Sequence, residues 1–299
     1  MLRGHDDDMA VGIIDVGSNT VRLDVSRDGK SLYRERVMLR LGDSIERDGA
    51  ISPDKLEEAA QIVQRFVLDA RRHGAEPVEV LVTSPGRQAA NSEQLLGRLA
   101  AIAGAPIRLL SADDEGRLAF AGAVAATRRG HDGLIAVGDV GGGSLQVSVG
   151  TRRDGVAWVR SVDMGSMRLT SRLLEGDPPG DAAIGRARDE MNRLLEGFAP
   201  PLPETALVVG GSARALRAIV GSTLGPDELE EAIAILARRP AQEVATLYDV
   251  HLERVQTLAA GAVILRSLQE RLVVPLRVVR GAGVREGAAI ELETRRAAA

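Results

Sequence analysis

No cysteine occurs anywhere in the chain, which excludes disulfides, thiolate nucleophiles and cysteine-based zinc sites. Lysine is almost missing: Lys30 and Lys55 stand alone, neither beside a glycine-rich stretch, so there is no phosphate loop ending in GK[ST]. Histidines are scattered (His5, His73, His131, His251), with no pair at metal-ligand spacing. Acid–base work therefore falls to carboxylates, and anion binding to arginine and backbone N–H groups. Aromatics are as sparse, with one Trp, two Tyr and three Phe. The core must be aliphatic, and no platform for stacking a base is evident. No apolar run approaches the length of a membrane span. A net charge of −4 gives no reason to expect a nucleic-acid partner. The start, MLRGHDDDMA, is acidic and lacks the apolar stretch of a signal peptide. Met9 is expected as the natural start, behind a disordered extension, and the setting is expected to be cytoplasmic.

What is present is a repeat. The stretch VGIIDVGSNTVRLDVSRDG at 11–29 resembles VGDVGGGSLQVSVGTRRDG at 137–155, with Asp139 standing 124 residues after Asp15. Each copy is an apolar strand, an aspartate, a glycine-bearing turn with a hydroxyl residue and a second alternating strand. Each then closes on Asp-Gly, a common hairpin turn. The pattern between the copies is parallel too. It predicts a strand near 31–39, a helix from Ser52 to Arg72 with Ser52 as N-cap and Pro53 at the first position, and a strand at 78–84. A helix in 91–103, a strand at 107–110 and a helix over 112–128 follow. The second copy is expected to continue with helices in 165–174 and 181–196, a strand at 206–210, a helix from Gly211, a long helix over 251–273, a strand at 276–280 and a last helix. Two α/β halves in β-β-β-α-β-α order, joined near 127–133, account for this and set the two glycine turns face to face across a cleft.

Such turns let successive backbone N–H groups approach an oxyanion. The hydroxyls of Ser18, Thr20 and Ser144 and the amide of Asn19 add donors, whereas Asp15 and Asp139 would repel phosphate unless a divalent cation lies between. The pair of aspartates therefore implies Mg²⁺, with Mn²⁺ as a substitute, held through carboxylate, water and substrate oxygens. A third glycine turn, Gly210-Gly211-Ser212, follows a strand and opens a helix. It reads either as a tight connection or as a nucleotide- or anion-binding helix terminus. Asp113, Asp114 and Glu115 likewise read two ways: as ordinary charge complement to a helix N-terminus, or as the source of a base for an attacking water.

These residues resemble the exopolyphosphatase and guanosine pentaphosphate phosphohydrolase (Ppx/GppA) family, within the actin-like ATPase superfamily. IIDVGSNTVRLDV looks like its first phosphate motif and GDVGGGSLQV its second. VTSPGRQAAN, LLSADDEGRLAFAGAV, ERVQTLAAGAVIL and GAGVREGA look like further signatures, in order, over nearly the whole chain from Met9. The resemblance implies two actin-like (ribonuclease H-like) α/β domains related by duplication, with the active site in the cleft between them. The first would span 9–125 and the second 126–283, with the C-terminal helix (about 284–299) packing back on the first and a hinge near 125–133. It implies a Mg²⁺-dependent hydrolase that releases orthophosphate from inorganic polyphosphate, or the 5′-phosphate of guanosine pentaphosphate, and a homodimer.

By the same resemblance, Glu115 is the catalytic carboxylate and Asp139 acts with it while holding metal alongside Asp15. Arg87 and Arg22 bind phosphate, and the Gly17–Thr20 and Gly141–Ser144 backbones (Gly142 and Gly143 included) cradle it. Three departures stand out. The family's second motif has a glutamate where this chain has Gln146, which leaves Gln146 as a neutral candidate metal ligand. It also opens an alternative reading, a regulator that binds polyphosphate or nucleotide without hydrolysing it. The segment Ser84-Pro85-Gly86-Arg87-Gln88-Ala89 also differs from the usual Ser-Ala-x-Arg-Asp-Ala. The helical domains of longer members have no counterpart after GVREG, so short polyphosphates are the expected substrate.

Overall fold

A computed structural model describes residues 9–127 and 133–298. The expected extension before Met9, and most of the expected junction and hinge, lie outside the described residues. The chain divides into two compact units. One ends at Leu118 and is rejoined by the chain from Val284 onward; the other is Ala119–Gly283.

In chain order the first unit holds β1 (Ala10–Val16), β2 (Thr20–Arg27), β3 (Lys30–Met38), α1 (Leu41–Asp48), α2 (Pro53–Arg72), β4 (Ala75–Val82), α3 (Ser84–Gln88), α4 (Ser92–Ile102) and β5 (Ile107–Leu109). The helix α5 (Ala112–Ala125) begins in it and ends in the second unit. That unit continues with β6 (Ile135–Val140), β7 (Leu145–Thr151), β8 (Gly155–Val162), α6 (Ser166–Leu173), α7 (Asp181–Leu194), β9 (Thr205–Gly210), α8 (Gly211–Val220), β10 (Thr223–Leu224), α9 (Pro226–Arg238), α10 (Ala241–Tyr248), α11 (Leu252–Val255), α12 (Leu258–Leu272) and β11 (Leu276–Val278). The last helix, α13 (Val284–Ala297), belongs to the first unit.

The first unit's sheet runs β3-β2-β1-β4-β5, and the second's runs β10-β11-β9-β6-β7-β8. Read from β8 to β11, the second repeats the order of the first: an antiparallel hairpin triplet followed by two parallel strands. The α/β class and the duplication expected from the sequence are both seen.

The first sheet buries Ile14, Val16, Val21, Leu23 and Val25 against α2. That helix presents Leu56, Ala59, Ala60, Val63, Phe66, Val67 and Ala70 at helical spacing. Ser52 sits at its N-cap position, but its side chain makes no capping bond; Pro53 at the first turn and the Leu56 N–H to Ser52 carbonyl bond (3.0 Å) start the helix. In the second unit α12 is buried along most of its length and packs on α6, α7, α8 and α9, as a helix apolar on every side must be.

Three expectations are corrected. The single helix over 251–273 is two, because Thr257 (φ −114°, ψ 8°) leaves helical geometry and caps α12. The strand expected to reach residue 84 stops at Val82, and Ser84–Gln88 coil into α3. The two Asp-Gly hairpins also differ. Asp28 and Gly29 both have positive φ and form a two-residue turn between paired Arg27 and Lys30. Asp154 instead ends a three-residue loop, with Gly155 (φ 75°) paired with Thr151 and the β7–β8 register shifting beyond it at Ala157.

Candidate active site

Each glycine turn is closed by the same bond at the same place in the repeat. The Gly17 N–H donates to the Thr20 carbonyl (3.1 Å), and the Gly141 N–H to the Ser144 carbonyl (3.0 Å). Each turn also rests on the start of a helix. At α1, the Gly42 N–H bonds the Ser18 carbonyl (2.8 Å), while the Leu39 and Arg40 N–H groups bond the Asn19 carbonyl. At α6, the Ser166 N–H bonds the Gly141 carbonyl (2.9 Å) and the Met167 and Arg168 N–H groups bond that of Gly142. A trans peptide points its N–H opposite its C=O. Drawing these carbonyls to the helix therefore turns the N–H groups of Asn19, Gly142 and Gly143 the other way, as an anion cradle requires.

Around the first turn, Asp15 is the last residue but one of β1, and its partner across the β1–β2 ladder is Arg22. Ser18 is buried, with its Oγ 2.6 Å from Ser84 Oγ. The Thr83 N–H bonds the Val16 carbonyl (3.2 Å), which fastens the start of α3 to the turn. Arg87, on α3, places Nη1 on the Leu110 carbonyl (2.9 Å) and Nη2 on Glu115 Oε2 (2.7 Å). The expected phosphate ligand and the expected catalytic carboxylate are thus in direct contact, and Glu115 is only 8% exposed. The three acids opening α5 part ways. Asp114 bonds the Ser111 hydroxyl (2.8 Å), which in turn accepts from the Asp114 N–H, so this carboxylate serves the helix start. Glu115 turns inward.

In the second unit Asp139 faces Gln146 across the β6–β7 ladder. Gln146 is buried; its Nε2 donates to Ser144 Oγ (2.8 Å) and Ser161 Oγ (3.2 Å), while its Oε1 has no partner. The third turn is drawn to the same aspartate. A side chain at Gly210 would start 3.0 Å from Asp139 Oδ1 and 2.6 Å from the Val140 carbonyl, and Gly210 has φ 98°, so glycine is required on two counts. At Gly211 the guanidinium of Arg254 lies against the backbone, and the Ser212 hydroxyl is buried without a partner.

No group of three or more His, Asp or Glu side chains that could hold a metal occurs among the described residues. The donors do fit a hard divalent cation that shares its shell with substrate and water. They are a carboxylate at Asp139 and an unpartnered amide oxygen at Gln146 facing it across the ladder.

The model of the Ppx/GppA phosphatase family matches residues 24–296. The chain belongs to the Ppx/GppA phosphatase family. Exopolyphosphatase 1 of Mycobacterium tuberculosis (strain ATCC 25618 / H37Rv) is 29% identical over 303 residues, covering 93% of this chain and 87% of the relative. The crystal structure of the Aquifex aeolicus Ppx/GppA family member superposes with a TM-score of 0.80 at 24% identity, covering 96% of this chain and 98% of that one. An exopolyphosphatase from Cytophaga hutchinsonii gives 0.84 at 18% identity, over 97% and 98%. This Ppx/GppA member therefore has the two-domain actin-like fold and belongs to a family of phosphoanhydride hydrolases.

Sequence reasoning had given no role to Arg285, Arg254 or Ser84. Arg285 Nη1 reaches Asp15 Oδ2 (3.2 Å) from the start of α13. Burial opposes its charge, but the surrounding carboxylates of Asp15, Glu286 and Asp24 outweigh that and hold it protonated above its ordinary value. The only signal for it was GVREG, which carries no spacing relation to Asp15.

Proposed function

We propose that this protein is a Mg²⁺-dependent exopolyphosphatase that hydrolyses the terminal phosphoanhydride of short inorganic polyphosphates and releases orthophosphate. The observation that carries the reading is the duplicated turn: an aspartate, a glycine-bearing bend closed by the same bond, and a helix start that takes the bend's carbonyls and so turns the bend's own N–H groups outward. Phosphoryl transfer depends on positioning and charge neutralisation more than on covalent help. A doubled oxyanion cradle lined by aspartates suits a substrate that is itself a repeated phosphate.

In this reading Glu115 takes a proton from the attacking water, and the bond from the terminal phosphorus to the shortened chain breaks. Arg87 holds a phosphate oxygen while its contact with Glu115 keeps the base beside that phosphate. The backbones of Gly17, Ser18, Asn19 and Thr20 and of Gly141, Gly142, Gly143 and Ser144 bind successive phosphates, assisted by Arg22. Gly210, Gly211 and Ser212 receive a further anionic or nucleotide group. Asp139 and Asp15, with the Gln146 amide oxygen, are the side chains assigned to the cation. When bound, that cation would offset the substrate's negative charge.

The test is phosphate release from short-chain polyphosphate with Mg²⁺ and then Mn²⁺, for the wild type, Glu115→Gln and Gln146→Glu, with guanosine pentaphosphate run in parallel. Release lost in Glu115→Gln supports the reading. Release from guanosine pentaphosphate alone would replace the substrate. The neutral, hydrogen-bonded Gln146 favours one further reading, a regulator that binds polyphosphate without cleaving it. Tight binding with no release in the wild type, and release gained in Gln146→Glu, would select it. The working unit is proposed to be a homodimer, which sedimentation tests directly.

A further inference from the structure

An aspartate beside a phosphate cradle is a liability, since it repels the anion the turn is shaped to receive. In the first unit the compensating charge is part of the chain. Arg285, the second residue of α13, grips Asp15 Oδ2 at 3.2 Å, and the two side chains are only 13% and 14% exposed. The other oxygen, Oδ1, faces the turn, 3.8 Å from where a side chain at Gly17 would start.

The neighbourhood shows that this guanidinium is committed to the carboxylates and not to solvent. Asp24 lies on the same strand as Asp15's ladder partner. It accepts from the Ser31 hydroxyl (2.8 Å) and Arg34 Nε (2.8 Å). Arg34 also bonds Glu286 Oε1 (3.1 Å), whose other oxygen is buried and unpartnered. Three carboxylates (Asp15, Asp24, Glu286) thus share two guanidiniums, Arg34 and Arg285, and of these two it is Arg285 that reaches Asp15.

We infer that Arg285 is a built-in counter-cation for Asp15, which makes the Gly17–Thr20 turn able to bind a phosphate anion without a metal ion. The inference rests on the reading of that turn as a phosphate cradle. Asp15 then keeps Oδ1 for the turn and its cation while Arg285 on Oδ2 offsets its charge from behind, so that more of the site's cation demand falls on Asp139. A unit charge about 8 Å from a bound anion, at an effective dielectric of about 20, changes affinity by roughly 30-fold.

The experiment is calorimetric titration of the full chain with tripolyphosphate in excess EDTA, for the wild type, Arg285→Gln, Arg285→Lys, Asp15→Asn and the double variant Asp15→Asn/Arg285→Gln. Each variant's fold is checked by thermal unfolding. Wild type is expected to bind, Arg285→Gln to weaken binding by about 10- to 100-fold, and Arg285→Lys to retain most of it. The decisive arm is the double variant. Removing the carboxylate together with its counter-cation restores charge balance, so binding returns towards wild type, which loss of a merely structural contact would not allow. Asp15→Asn alone, with Arg285 uncompensated, is expected to bind more tightly than wild type in EDTA while losing metal-dependent phosphate release. That arm keeps the test decisive if Arg285→Gln does not fold.

Absence of metal-free binding in a wild type that hydrolyses polyphosphate with Mg²⁺ would overturn this inference and leave the proposed function standing. So would a loss in Arg285→Gln that the double variant fails to recover. The expected pattern in a protein that releases no phosphate would overturn the function and leave the inference.

Discussion

Gln146→Glu probes the second cradle with the smallest change available. The side chain keeps its shape, and both present partners of Nε2 are hydroxyls, which can reverse and donate to a carboxylate. What changes is charge. Asp139 and residue 146 are ladder partners, and such side chains stand about 5 Å apart. Two like charges at that separation, with an effective dielectric of about 20, repel by about 3 kcal/mol. Asp139 is engaged by other groups as well, so this is an upper bound. Metal-free Gln146→Glu should therefore unfold at a temperature lower by as much as about 10 °C. With Mg²⁺ or Mn²⁺ the sign reverses. The added carboxylate should tighten cation binding by about 10- to 100-fold, which returns most of the lost stability and raises phosphate release. Differential scanning fluorimetry with and without cation, beside the phosphate assay, reads both effects. A fall in unfolding temperature that no divalent cation relieves would refute the pairing of residue 146 with Asp139 around a metal, and so would no fall at all.

Glu115→Gln should lower phosphate release by about 10²- to 10⁴-fold without unfolding the protein, as steady-state rates and circular dichroism would show. Gly210→Ala forces a side chain onto the Val140 carbonyl at positive φ and should cost about 2–4 kcal/mol by urea denaturation. Burial raises the Asp24 carboxyl above its ordinary value of 3.8, and the Ser31 hydrogen bond and Arg34 only partly offset this. The folded state thus holds this proton more tightly than the unfolded chain. Relative to Asp24→Asn, the wild type should be most stable below about pH 4 and lose that advantage as pH rises through the raised value. Denaturation of both proteins from pH 3 to 7 checks the sign.

The duplication was legible because its signal is local: an aspartate, glycines and a hydroxyl residue at fixed offsets, bracketed by alternating strands. Asp15, Asp139 and the two turns could be named from that alone. Extending the same offset places Arg22 and Gln146 at equivalent positions, each the ladder partner of its aspartate. The contrast between a cation in one copy and a neutral amide in the other needed strand register to become visible. Of the helix starts that brace the turns, that of α6 fell within the helix expected over 165–174, whereas α1 was not legible, being short and opening on a left-handed Arg40 with no side-chain cap. Nor was the Asp15–Arg285 pair, whose members are 270 residues apart. Nothing in the pattern announced β10, α9 or α10, and Thr257 broke a helix whose apolar spacing ran on. The pattern alone left Glu115 as one of three adjacent acids; the resemblance singled it out, and its contact with Arg87 sets it apart from Asp114, which its own helix uses.

The place of α13 in the first unit has a consequence for biosynthesis. β1 leaves the ribosome long before the helix that covers it and supplies Arg285, since the whole second unit lies between them in the chain. The second unit is contiguous in the chain and can be completed earlier. A nascent chain would then carry a central strand uncovered on that face, with Asp15 lacking Arg285, until α13 emerges. A chain cut before Val284 would have one finished unit and one sheet without the helix that covers β1, a natural target for proteolytic clearance.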